Sequence, residues 1–457
     1  MTDIACIVLA AGMGTRMCSE LPKVLHRAAG RSLVGHVVTA AKQLGSARIV
    51  VVVGDGADAI KRDAQSYCPD AAMALQSPAC GTADAVSKAL PALDGFAGTV
   101  LVLFAADPLM TQASLGRMAA AIASGSKLAV LGFDAGDPTG YGRLLTDGPD
   151  RVAAIREQAD ASEEELAITL CNSGVMAFDA DLLRTLLPKI GNDNAKGEYY
   201  LTDIVGLANE SGDKVALVTC PEHEVLGVNT RAELAVVEAE LQRRYRHKVM
   251  AEGATLIAPE TVFLSADTVI GRDVIIEPHV VIGQGVSIGS GSVIRAFCHI
   301  ENAQIGEKVE LGPYARIRPG TELADKVKVG NFVEVKNAHL EEGAKVNHLS
   351  YVGDARVGAK ANVGAGTITC NYDGFFKHHT DIGPGAFIGS NSALVAPVKI
   401  GEGAYVGSGS VITRDVDAGA LAIARGSQET REGWATRYNQ AQSARKQKSA
   451  SEGKKKD

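Results

Sequence analysis

The first half of the chain alternates short apolar runs with longer stretches in which apolar residues recur at helical spacing. The runs IACIVL, RIVVVVG and TVLVLFAA have the length of strands, and KVLHRAAGRSLVGHVVTAAKQLG separates the first two with a helical pattern. This alternation predicts a mostly parallel sheet covered by helices on both faces. Ligands of such sheets bind beyond the carboxyl ends of the strands, so candidate chemistry is expected there.

This rhythm stops near residue 229. The stretch NTRAELAVVEAELQRRYRHKVM offers Thr230 and Glu233 as a capping box, followed by Leu234, Val237 and Leu241 on one helical face. A capping box that precedes an apolar stripe is a helix-start signal. The pattern predicts a connecting helix over residues 230–250.

The second half of the chain repeats every six residues, and glycine often follows the repeated aliphatic residue, as in IGRDV and IGEGA. A period of six matches neither an α-helix nor a hairpin, but it fits a parallel β-helix in which each hexamer supplies one short strand and one turn. Three hexamers close a coil, so about nine or ten stacked coils are expected. The in-phase positions are Ile270, Ile276, Ile282, Ile288, Ile294 and Ile300, then Ile305, Leu311, Ile317, Leu323, Val329 and Val335, then Ile382, Ile388, Leu394, Ile400, Val406 and Ile412.

The segment NYDGFFKHHT, residues 371 to 380, breaks this repeat for a whole turn. Insertions of this kind form loops outside a solenoid and often build its binding face. Exposed Phe375 and Phe376 are costly on a lone coil, so we expect them to pack against a neighbouring subunit. Polar and basic residues around Arg318, Lys336 and His348 are a second departure from the apolar repeat.

Length and charge narrow the class of protein. A chain of 457 residues exceeds one ordinary core, and its net charge of −7 argues against a general nucleic-acid binder. No apolar run approaches the roughly 18 residues that span a bilayer, and no signal peptide is apparent, so we expect no membrane insertion and a cytoplasmic location. Eight Cys without a CxxC pair suit reduced thiols. The basic end predicts a disordered tail over residues 438–457.

The stretch LAAGMGTRM, residues 9 to 17, follows a predicted strand directly. Gly12 and Gly14 let the backbone approach a phosphate, and Arg16 supplies a cation for charge that develops on phosphorus. Met17 stands where a dinucleotide fingerprint requires its third glycine, which argues against a dinucleotide site. Lys23 is either a second phosphate contact or a surface lysine.

Seven motifs occur in a characteristic order: LAAGMGTRM with PK at 22 and 23, QSPACGTADA, GYGR, IREQADA, CNSG, GEYYLTD and GVNTR. Followed by hexapeptide repeats, they resemble the family of bifunctional N-acetylglucosamine-1-phosphate uridyltransferases / glucosamine-1-phosphate N-acetyltransferases over about residues 4 to 437. The resemblance implies an α/β nucleotidyltransferase domain with a Rossmann-like mixed sheet at 1–229 and a left-handed parallel β-helix acetyltransferase domain at 251–437. It also implies the substrates UTP, acetyl-CoA and glucosamine-1-phosphate, with Mg²⁺ as cofactor.

Carried over position by position, the resemblance assigns residues to the uridylyl-transfer site. Arg16 and Lys23 would act on the phosphates as catalytic residues. For Gly142 and Asn172, which the resemblance assigns to the sugar phosphate, a role as turn residues is the alternative. The uridine nucleotide would contact Leu9, Ala11, Gly12, Lys23, Gln76, Gly81 and Thr82. The N-acetylglucosamine-1-phosphate would contact Gly142, Glu157, Asn172, Thr202 and Asn229.

The metal site departs from the family pattern. The family has an aspartate in a stretch of the form YGDVPL, whereas this chain reads FAADPL, so Ala106 stands at the aspartate position and Asp107 comes one residue later. In an extended strand a shift of one residue points the side chain to the opposite face. Asp107 and Asn229 are the expected Mg²⁺ ligands. The alternatives are a turn role for Asp107 before Pro108 and a helix-capping role for Asn229.

Formation of an amide from acetyl-CoA needs a free amine and therefore a base. His348 is the candidate because an imidazole titrates near neutral pH. The resemblance supports it, since HLSY at 348 to 351 matches the family motif that carries the base, with Glu334 positioned to orient it or to balance its charge. The resemblance further implies a homotrimer with sites shared between neighbours. Its glucosamine-1-phosphate residues are Arg318, Lys336, Tyr351, Asn362 and Lys377, and its acetyl-CoA residues are Ala365, Asn371, Tyr372, Ser390, Ser408 and Arg425.

Three functions are consistent with the sequence. The first is an enzyme with two reactions, acetyl transfer on the β-helix and uridylyl transfer on the α/β domain. The second keeps acetyl transfer but treats the first domain as a degenerate nucleotide-binding module because of FAADPL. The third is a non-enzymatic trimeric scaffold, against which Arg318, Lys336, His348 and the NYDGFFK loop argue.

Overall fold

The computed structural model describes residues 3–12, 14–194 and 197–453. It divides into two compact units, residues 1–304 and 305–457. The first unit contains the α/β sheet, a long helix and the first coils of the β-helix. The second unit contains later coils and the C-terminal segment.

A mixed sheet forms the centre of the first unit, with the strand order β11-β7-β10-β6-β1-β4-β5. In this order the strands pair in parallel except β10, which is antiparallel to both neighbours. Strand β8 pairs antiparallel with β10 and β9, and β2 and β3 form a separate antiparallel pair outside this sheet. The strands are β1 Ile4–Leu9, β2 Arg27–Ala28, β3 Arg31–Ser32, β4 Arg48–Val53, β5 Ala72–Leu75, β6 Thr99–Phe104, β7 Leu128–Asp134, β8 Arg143–Thr146, β9 Val152–Arg156, β10 Leu170–Asp179 and β11 Val215–Thr219.

Helices cover both faces of this sheet, as predicted. Alternate residues of β1 point to opposite sides: Cys6 and Val8 belong to one buried cluster, Ala5 and Ile7 to another. The helices are α1 Leu33–Gln43, α2 Asp58–Tyr67, α3 Thr82–Ala89, α4 Gln112–Ala123, α5 Glu163–Leu166, α6 Ala180–Leu186, α7 Ile204–Glu210 and α8 Arg231–Ala251. Helices α1, α2 and α4 contribute to the first cluster, and α3, α6 and α7 to the second.

Helix α8 begins with the capping box that the sequence predicts. The Thr230 hydroxyl accepts from the backbone N–H of Glu233, and the Glu233 carboxylate accepts from the N–H of Thr230. Val237 and Leu241 of this helix pack with Met17 and Leu109 in a separate buried cluster. The helix therefore serves as a platform for the segment that follows β1.

The first coils of a left-handed parallel β-helix complete the first unit. Each short strand buries one repeated aliphatic residue, and parallel pairing places Leu256 beside Ile276 and Ile276 beside Ile294. The strands are β12 Thr255–Leu256, β13 Phe263–Leu264, β14 Val269–Ile270, β15 Ile275–Ile276, β16 Val281–Ile282, β17 Ser287–Ile288, β18 Val293–Ile294, β19 His299–Ile300 and β20 Ala303–Ile305, the last of which reaches the second unit.

The second unit continues the same pattern. Parallel pairs such as Val329↔Val346 and Ile388↔Val406 place buried aliphatic residues one above another. The strands are β21 Glu310–Leu311, β22 Arg316–Ile317, β23 Thr321–Leu323, β24 Lys328–Asn331, β25 Glu334–Leu340, β26 Lys345–His348, β27 Tyr351–Val357, β28 Asn362–Val363, β29 Ile368–Cys370, β30 Thr380–Ile382, β31 Phe387–Ile388, β32 Ala393–Val395, β33 Val398–Ile400, β34 Tyr405–Val406, β35 Val411–Ile412 and β36 Leu421–Ala422.

The C-terminal segment differs from its prediction. Residues 438–457 were expected to be a disordered tail, but helix α9 runs from Trp434 to Gly453. Its alanine, glutamine, arginine and lysine residues have high helix propensity, which explains the helix despite exposed side chains. Residues 454–457 of the predicted tail lie outside the described residues. In the described part of the chain, no helix has the length and apolar character needed to cross a membrane.

Candidate uridylyl-transfer and acetyl-transfer sites

The loops that follow β1, β5 and β6 enclose a cavity of about 290 Å³ in the α/β domain. All seven residues that the sequence assigns to the uridine nucleotide line it: Leu9, Ala11, Gly12, Lys23, Gln76, Gly81 and Thr82. Because these residues come from the carboxyl ends of adjacent strands, the cavity lies where doubly wound sheets bind ligands.

Two glycines shape this cavity. Gly14 adopts a φ of +62°, and a Cβ there would lie 2.4 Å from the Cβ of Lys23, so the chain doubles back and brings Lys23 to the cavity. Gly81 adopts a φ of +112°, and a Cβ there would lie 2.5 Å from the carbonyl oxygen of Tyr199. Any larger side chain at these positions strains the backbone. Arg16 is exposed on the short turn after Gly14.

Gln76 is the buried polar side chain in the wall of this cavity, with 5% of its surface exposed. Its Nε2 donates to the carbonyl oxygen of Gly81 and to Asp84 Oδ2, both at 2.9 Å. Asp84 lies in the first turn of α3 and was not identified from the sequence. A helical acid with an i,i+4 lysine is the ordinary pattern of a solvated face, so no sequence signal distinguished it.

A second cavity of about 530 Å³ adjoins the first, and both are lined by Thr82, Phe104 and Tyr200. It contains three of the residues assigned to the sugar phosphate: Glu157, Asn172 and Thr202. Gly142 stands directly behind them, since its carbonyl oxygen accepts from the N–H of Asn172 at 2.8 Å. The Asn172 side chain also accepts from the N–H of Gly174, which is a turn role.

Asn229 is placed beside Lys23. The Nζ of Lys23 donates to Asn229 Oδ1 at 3.0 Å, and Glu233 holds the Asn229 backbone by accepting from its N–H. Burial lowers the pKa of Lys23 and Arg16 lowers it further, whereas Asp107 and Glu233 raise it. Asn229 therefore presents its amide oxygen to a cationic group at the edge of the nucleotide cavity.

The FAADPL stretch forms a turn at the end of β6. The strand ends at Phe104, and the N–H of Asp107 donates to the carbonyl oxygen of Phe104 at 3.1 Å. Ala106 lines the nucleotide cavity, and its carbonyl oxygen accepts from the N–H of Val228 at 2.9 Å. Because the backbone turns here, the strict alternation of an extended strand does not apply.

The Asp107 carboxylate lies against the 227–229 segment. A Cβ on Gly227 would lie 2.6 Å from Asp107 Oδ1. Burial raises the pKa of Asp107 to about 7, and the charge of Lys23 opposes this shift. The Asp107 carboxylate and the Asn229 amide are each close to Lys23, and oxygen donors of these two kinds suit Mg²⁺, which takes few protein ligands. Among the described residues there is no cluster of three or more His, Cys, Asp or Glu that could hold a metal.

Arg231 is a functional candidate that the sequence did not reveal. Its guanidinium donates to the carbonyl oxygen of Met17 at 3.3 Å and contacts His26 Nδ1 at 3.1 Å. These two contacts bracket the segment that carries Lys23. The GVNTR motif contains Arg231, but a motif alone does not show that its arginine fastens the loop after β1.

On the β-helix, His348 and four of the six residues assigned to acetyl-CoA, namely Ala365, Ser390, Ser408 and Arg425, form one column along successive coils. The carbonyl oxygen of His348 accepts from Gly366 N–H at 3.2 Å, next to Ala365. The Ala365 carbonyl accepts from Asn391 N–H at 2.7 Å, next to Ser390, and the Ser390 carbonyl accepts from Gly409 N–H at 2.8 Å, next to Ser408. The Arg425 guanidinium then donates to the Ser408 carbonyl.

The partner of the His348 ring differs from the expectation. Glu334 does not orient it, because Glu334 Oε1 accepts from Arg318 Nη1 at 2.7 Å, while His348 Nδ1 contacts Asn331 Oδ1 at 2.9 Å. Strand register explains this, because Asn331 pairs with His348 on adjacent strands whereas Glu334 pairs with Tyr351. The alternative role of Glu334, to balance the charge of His348, stays a prediction. With the amide oxygen facing Nδ1, that nitrogen carries the hydrogen and Nε2 is left to accept a proton.

Three cations assemble near this column. The neighbouring amine of Lys377 is the largest cause of a lowered pKa at Lys336, Arg318 lowers it further, and Asp354 raises it. Cations placed this close together are a site for a dianion such as a phosphate ester. The structure thus brings together Arg318, Lys336 and Lys377, three of the residues assigned to the sugar phosphate.

Buried Asp354 anchors this cation cluster. It accepts from Asn337 Nδ2 at 2.6 Å and from Asn371 Nδ2, and the Asn371 amide also reaches the Tyr351 hydroxyl at 3.5 Å. Asn371 and Tyr351 therefore lie beside the phosphate candidates. Asn362 is on β28 in register with Phe387, and no described hydrogen bond joins its side chain to this cluster.

The interrupted repeat is a loop, as predicted. Asp373 Oδ1 accepts from the N–H groups of Phe375 and Phe376, and Asp373 Oδ2 contacts His378 Nε2. This fold of the loop leaves Phe375 87% exposed and Phe376 71% exposed, with Tyr372 also exposed. The loop is locally ordered by one aspartate, and its aromatic rings face outward.

Comparison with known proteins agrees with both halves. Residues 6–190 match the MobA-like NTP transferase domain, and residues 267–302 and 379–414 match the bacterial transferase hexapeptide (six repeats). A solved structure of the inositol-1-phosphate CTP transferase from T. maritima is similar with a TM-score of 0.40 and 16% identity, covering 51% of this chain and 92% of that chain. That likeness is too distant to bear on fold or function.

Curated relatives match along nearly the whole chain. The Bifunctional protein GlmU of Azorhizobium caulinodans is 55% identical over 94% of this chain and 96% of its own length. The proteins of the same name from Rhodospirillum rubrum and Paracoccus denitrificans are 57% and 52% identical, each over 96% of this chain and over 98% and 97% of their lengths. The family resemblance read from the motifs is confirmed: the chain belongs to the bifunctional GlmU family of transferases.

Proposed function

We propose that this transferase makes UDP-N-acetylglucosamine in two steps. Acetyl-CoA first acetylates glucosamine-1-phosphate on the β-helix, and UTP then uridylylates the product on the α/β domain. The observation that carries the proposal is the pair of adjoining cavities, one lined by all seven residues assigned to the nucleotide and the other by Glu157, Asn172 and Thr202. An intact nucleotide cavity favours this reading over an acetyltransferase with a degenerate first domain.

In the uridylyl step, a phosphate oxygen of N-acetylglucosamine-1-phosphate attacks the α-phosphorus of UTP, and the bond to the leaving pyrophosphate breaks. No protein nucleophile is required, because positioning and charge neutralisation carry phosphoryl-transfer reactions of this type. Lys23 reaches the nucleotide cavity and would contact the phosphates there. Arg16 would supply a second positive charge from the flanking turn.

Asp107 and Asn229 would hold Mg²⁺ at the edge of this cavity, with remaining ligands from phosphate and water. Bound there, the ion would neutralise charge on the phosphates of UTP. The fit is supported by the Lys23 ammonium, which already lies 3.0 Å from the Asn229 amide oxygen. It is also supported by the partly buried Asp107 carboxylate beside Gly227.

In the acetyl step, Nε2 of His348 would remove a proton from the glucosamine amine. The amine nitrogen of glucosamine-1-phosphate then attacks the thioester carbonyl of acetyl-CoA, the C–S bond breaks, and the thiolate of coenzyme A leaves. Asn331 orients the ring, and Arg318, Lys336 and Lys377 would hold the sugar phosphate. Acetyl-CoA would lie along the column of Ala365, Ser390, Ser408 and Arg425, with Asn371 and Tyr372 nearby.

We also propose that the protein is a homotrimer in the cytoplasm. The outward-facing rings of Phe375 and Phe376 are costly in water and would be buried by a second copy. Several acetyl-transfer residues, among them His348, Ser390 and Ser408, are exposed, so a neighbouring chain would complete the site. Its substrates are small molecules, and its eight cysteines are free thiols, which is usual in a reducing compartment.

The first experiment measures pyrophosphate release from UTP and N-acetylglucosamine-1-phosphate together with Mn²⁺ binding by electron paramagnetic resonance. Asp107→Ala should lose activity and bind Mn²⁺ at least about 10-fold more weakly, because it removes one hard ligand. Asp94→Ala, an exposed aspartate elsewhere in the domain, is the matched control. Adding Ala106→Asp to Asp107→Ala returns a carboxylate to the family position and should restore Mn²⁺ binding.

Two results would contradict this account. A wild type that releases no pyrophosphate while acetyl transfer is intact would make the α/β domain degenerate. Unchanged Mn²⁺ affinity in Asp107→Ala would reduce Asp107 to a turn residue and leave the nucleotide site in place.

A further inference from the structure

The orientation of the Gln76 side-chain amide is fixed by its hydrogen-bond partners. Its nitrogen faces the Gly81 carbonyl oxygen and the Asp84 carboxylate, each at 2.9 Å. Both are acceptors, so the group between them must be the NH₂ with its two hydrogens. The reverse orientation would set the amide oxygen against two acceptors inside a buried wall, which is strongly unfavourable.

This orientation leaves Oε1 as the only group with which the side chain can address a ligand. Among the described residues no hydrogen bond reaches Oε1, and Gln76 lines the nucleotide cavity. The wall therefore presents an acceptor to whatever lies there. A nucleobase edge with an N–H donor satisfies it, and an edge with a lone pair at the same place is repelled.

Asp84 supplies half of this constraint. It sits in the first turn of α3, partly buried, with Lys88 one turn away at 3.2 Å. If the carboxylate were absent, the Gly81 carbonyl alone would engage one hydrogen, and the amide could turn its NH₂ toward the cavity at lower cost. Asp84 contacts Gln76 and not the cavity: it is absent from the described lining residues.

We propose that Asp84 is a positioning residue that sets nucleobase specificity by holding Gln76 with its oxygen toward the base. The oxygen then accepts the N3–H of uracil and opposes the N3 lone pair of cytosine. This inference rests on the proposed uridylyl transfer and adds the group that makes the cavity prefer UTP over CTP.

The test is the ratio of kcat/KM for UTP to that for CTP, measured by pyrophosphate release in wild type and three variants. Asp84→Ala should lower the ratio about 10-fold or more, since an unfavourable pairing in a polar pocket is relieved. Asp84→Asn keeps an acceptor oxygen and should retain the ratio within about 3-fold. Lys88→Ala removes the ion pair but leaves the Gln76 contact, so it should leave the ratio unchanged.

The possible outcomes distinguish a failure of the proposed uridylyl transfer from a failure of the role given to Asp84. No turnover of any nucleotide by the wild type defeats the proposed function itself. Turnover of UTP with the same ratio in Asp84→Ala as in Lys88→Ala overturns the role of Asp84, and a wild type that prefers CTP overturns the assignment of Oε1 to N3–H. Retained turnover of UTP by each variant, together with an unchanged far-ultraviolet circular dichroism spectrum, reports that the α/β domain is folded.

Discussion

The two candidate sites differ in how they are enclosed. The nucleotide site is a cavity that a single chain closes around itself, with loops from β1, β5 and β6 and a buried glutamine in its wall. The acetyl-transfer residues stand on the outside of a regular solenoid, where His348, Ser390, Ser408 and Arg425 are exposed. One site is complete within its fold, and the other is a surface.

This difference follows from the two architectures. A doubly wound sheet ends in loops of free length, which fold over a ligand and bury polar groups around it. A β-helix has turns of fixed length stacked at strand spacing, so its side chains form columns and its concavities must come from insertions or from neighbouring chains. The loop at residues 371 to 380 is such an insertion.

The largest effect is expected from removing the proposed base of the exposed site. His348→Ala should reduce acetyl transfer by about 100-fold or more, because general base catalysis contributes this much. Uridylyl transfer should be unchanged, since the cavity residues lie in the other unit. Two coupled assays, one for free coenzyme A thiol and one for pyrophosphate, measure both reactions on the same preparation.

His339→Ala is the control for this experiment. His339 is also exposed on a β-helix strand and contacts Glu322, but it lies outside the column. If His348→Ala keeps acetyl transfer within about 5-fold of the wild type at neutral pH, another group is the base.

The nucleotide cavity is tested by removing a contact that holds the loop at residues 14–26, not by changing a residue that lines the cavity. Arg231→Met should lower kcat for uridylyl transfer about 10- to 100-fold, because small displacements of groups that position phosphates have effects of this size. The variant removes the contacts to the Met17 carbonyl and His26, so amide hydrogen exchange in residues 14–26 should accelerate. Exchange by mass spectrometry and steady-state kinetics measure the two effects.

Arg243→Met is the matched control, since Arg243 lies on the same helix and pairs only with Glu240 among the described residues. Slow exchange in residues 14–26 together with normal kcat in Arg231→Met would show that the loop holds its shape without the arginine.

The hexapeptide repeat made the β-helix easier to predict from the sequence than the α/β domain, which has no repeat. The β-helix follows from its period, because each in-phase aliphatic residue must face inward, and Ile276, Ile294 and Val329 are buried accordingly. The seven residues assigned to the nucleotide came from the family resemblance of short motifs, and the structure brings all seven to one cavity at the strand ends. What the motifs do not contain is the partner of each side chain: Asp84 beside Gln76 and Arg231 beside Met17 are contacts across the fold.

The partner of His348 shows why such contacts escape a linear reading. The family resemblance gave Glu334 the role of orienting His348 or balancing its charge, but register pairs His348 with Asn331 on the preceding coil, 17 residues earlier. Three hexamers span 18 residues, so the regular repeat would pair His348 with the residue before Asn331. The hexapeptide pattern alone does not show which coil is one residue shorter. Helix α9 escaped for a different reason, since its composition suits both a solvated tail and a helix.

A smaller effect is expected at the exposed site when Lys377 is replaced, because the pKa of Lys336 should then change. Lys377 is the main reason that the pKa of Lys336 lies below its ordinary value. Only the protonated amine attracts a phosphate ester, so affinity for glucosamine-1-phosphate should fall as the pH rises toward this lowered pKa. In Lys377→Met the pKa of Lys336 returns upward, and the fall should begin at higher pH.

Near neutral pH the same variant should raise KM for glucosamine-1-phosphate by about 3- to 10-fold, because one charged contact to the phosphate is lost. Profiles of KM against pH from 7 to 10 for wild type, Lys377→Met and the exposed control Lys399→Met separate the two effects. A raised KM with an unmoved alkaline limb would mean that Lys377 binds the phosphate without influencing Lys336. An unmoved limb and an unchanged KM would place the phosphate away from this pair of lysines, because an exposed surface, unlike the nucleotide cavity, gains its affinity from the charges that converge on it.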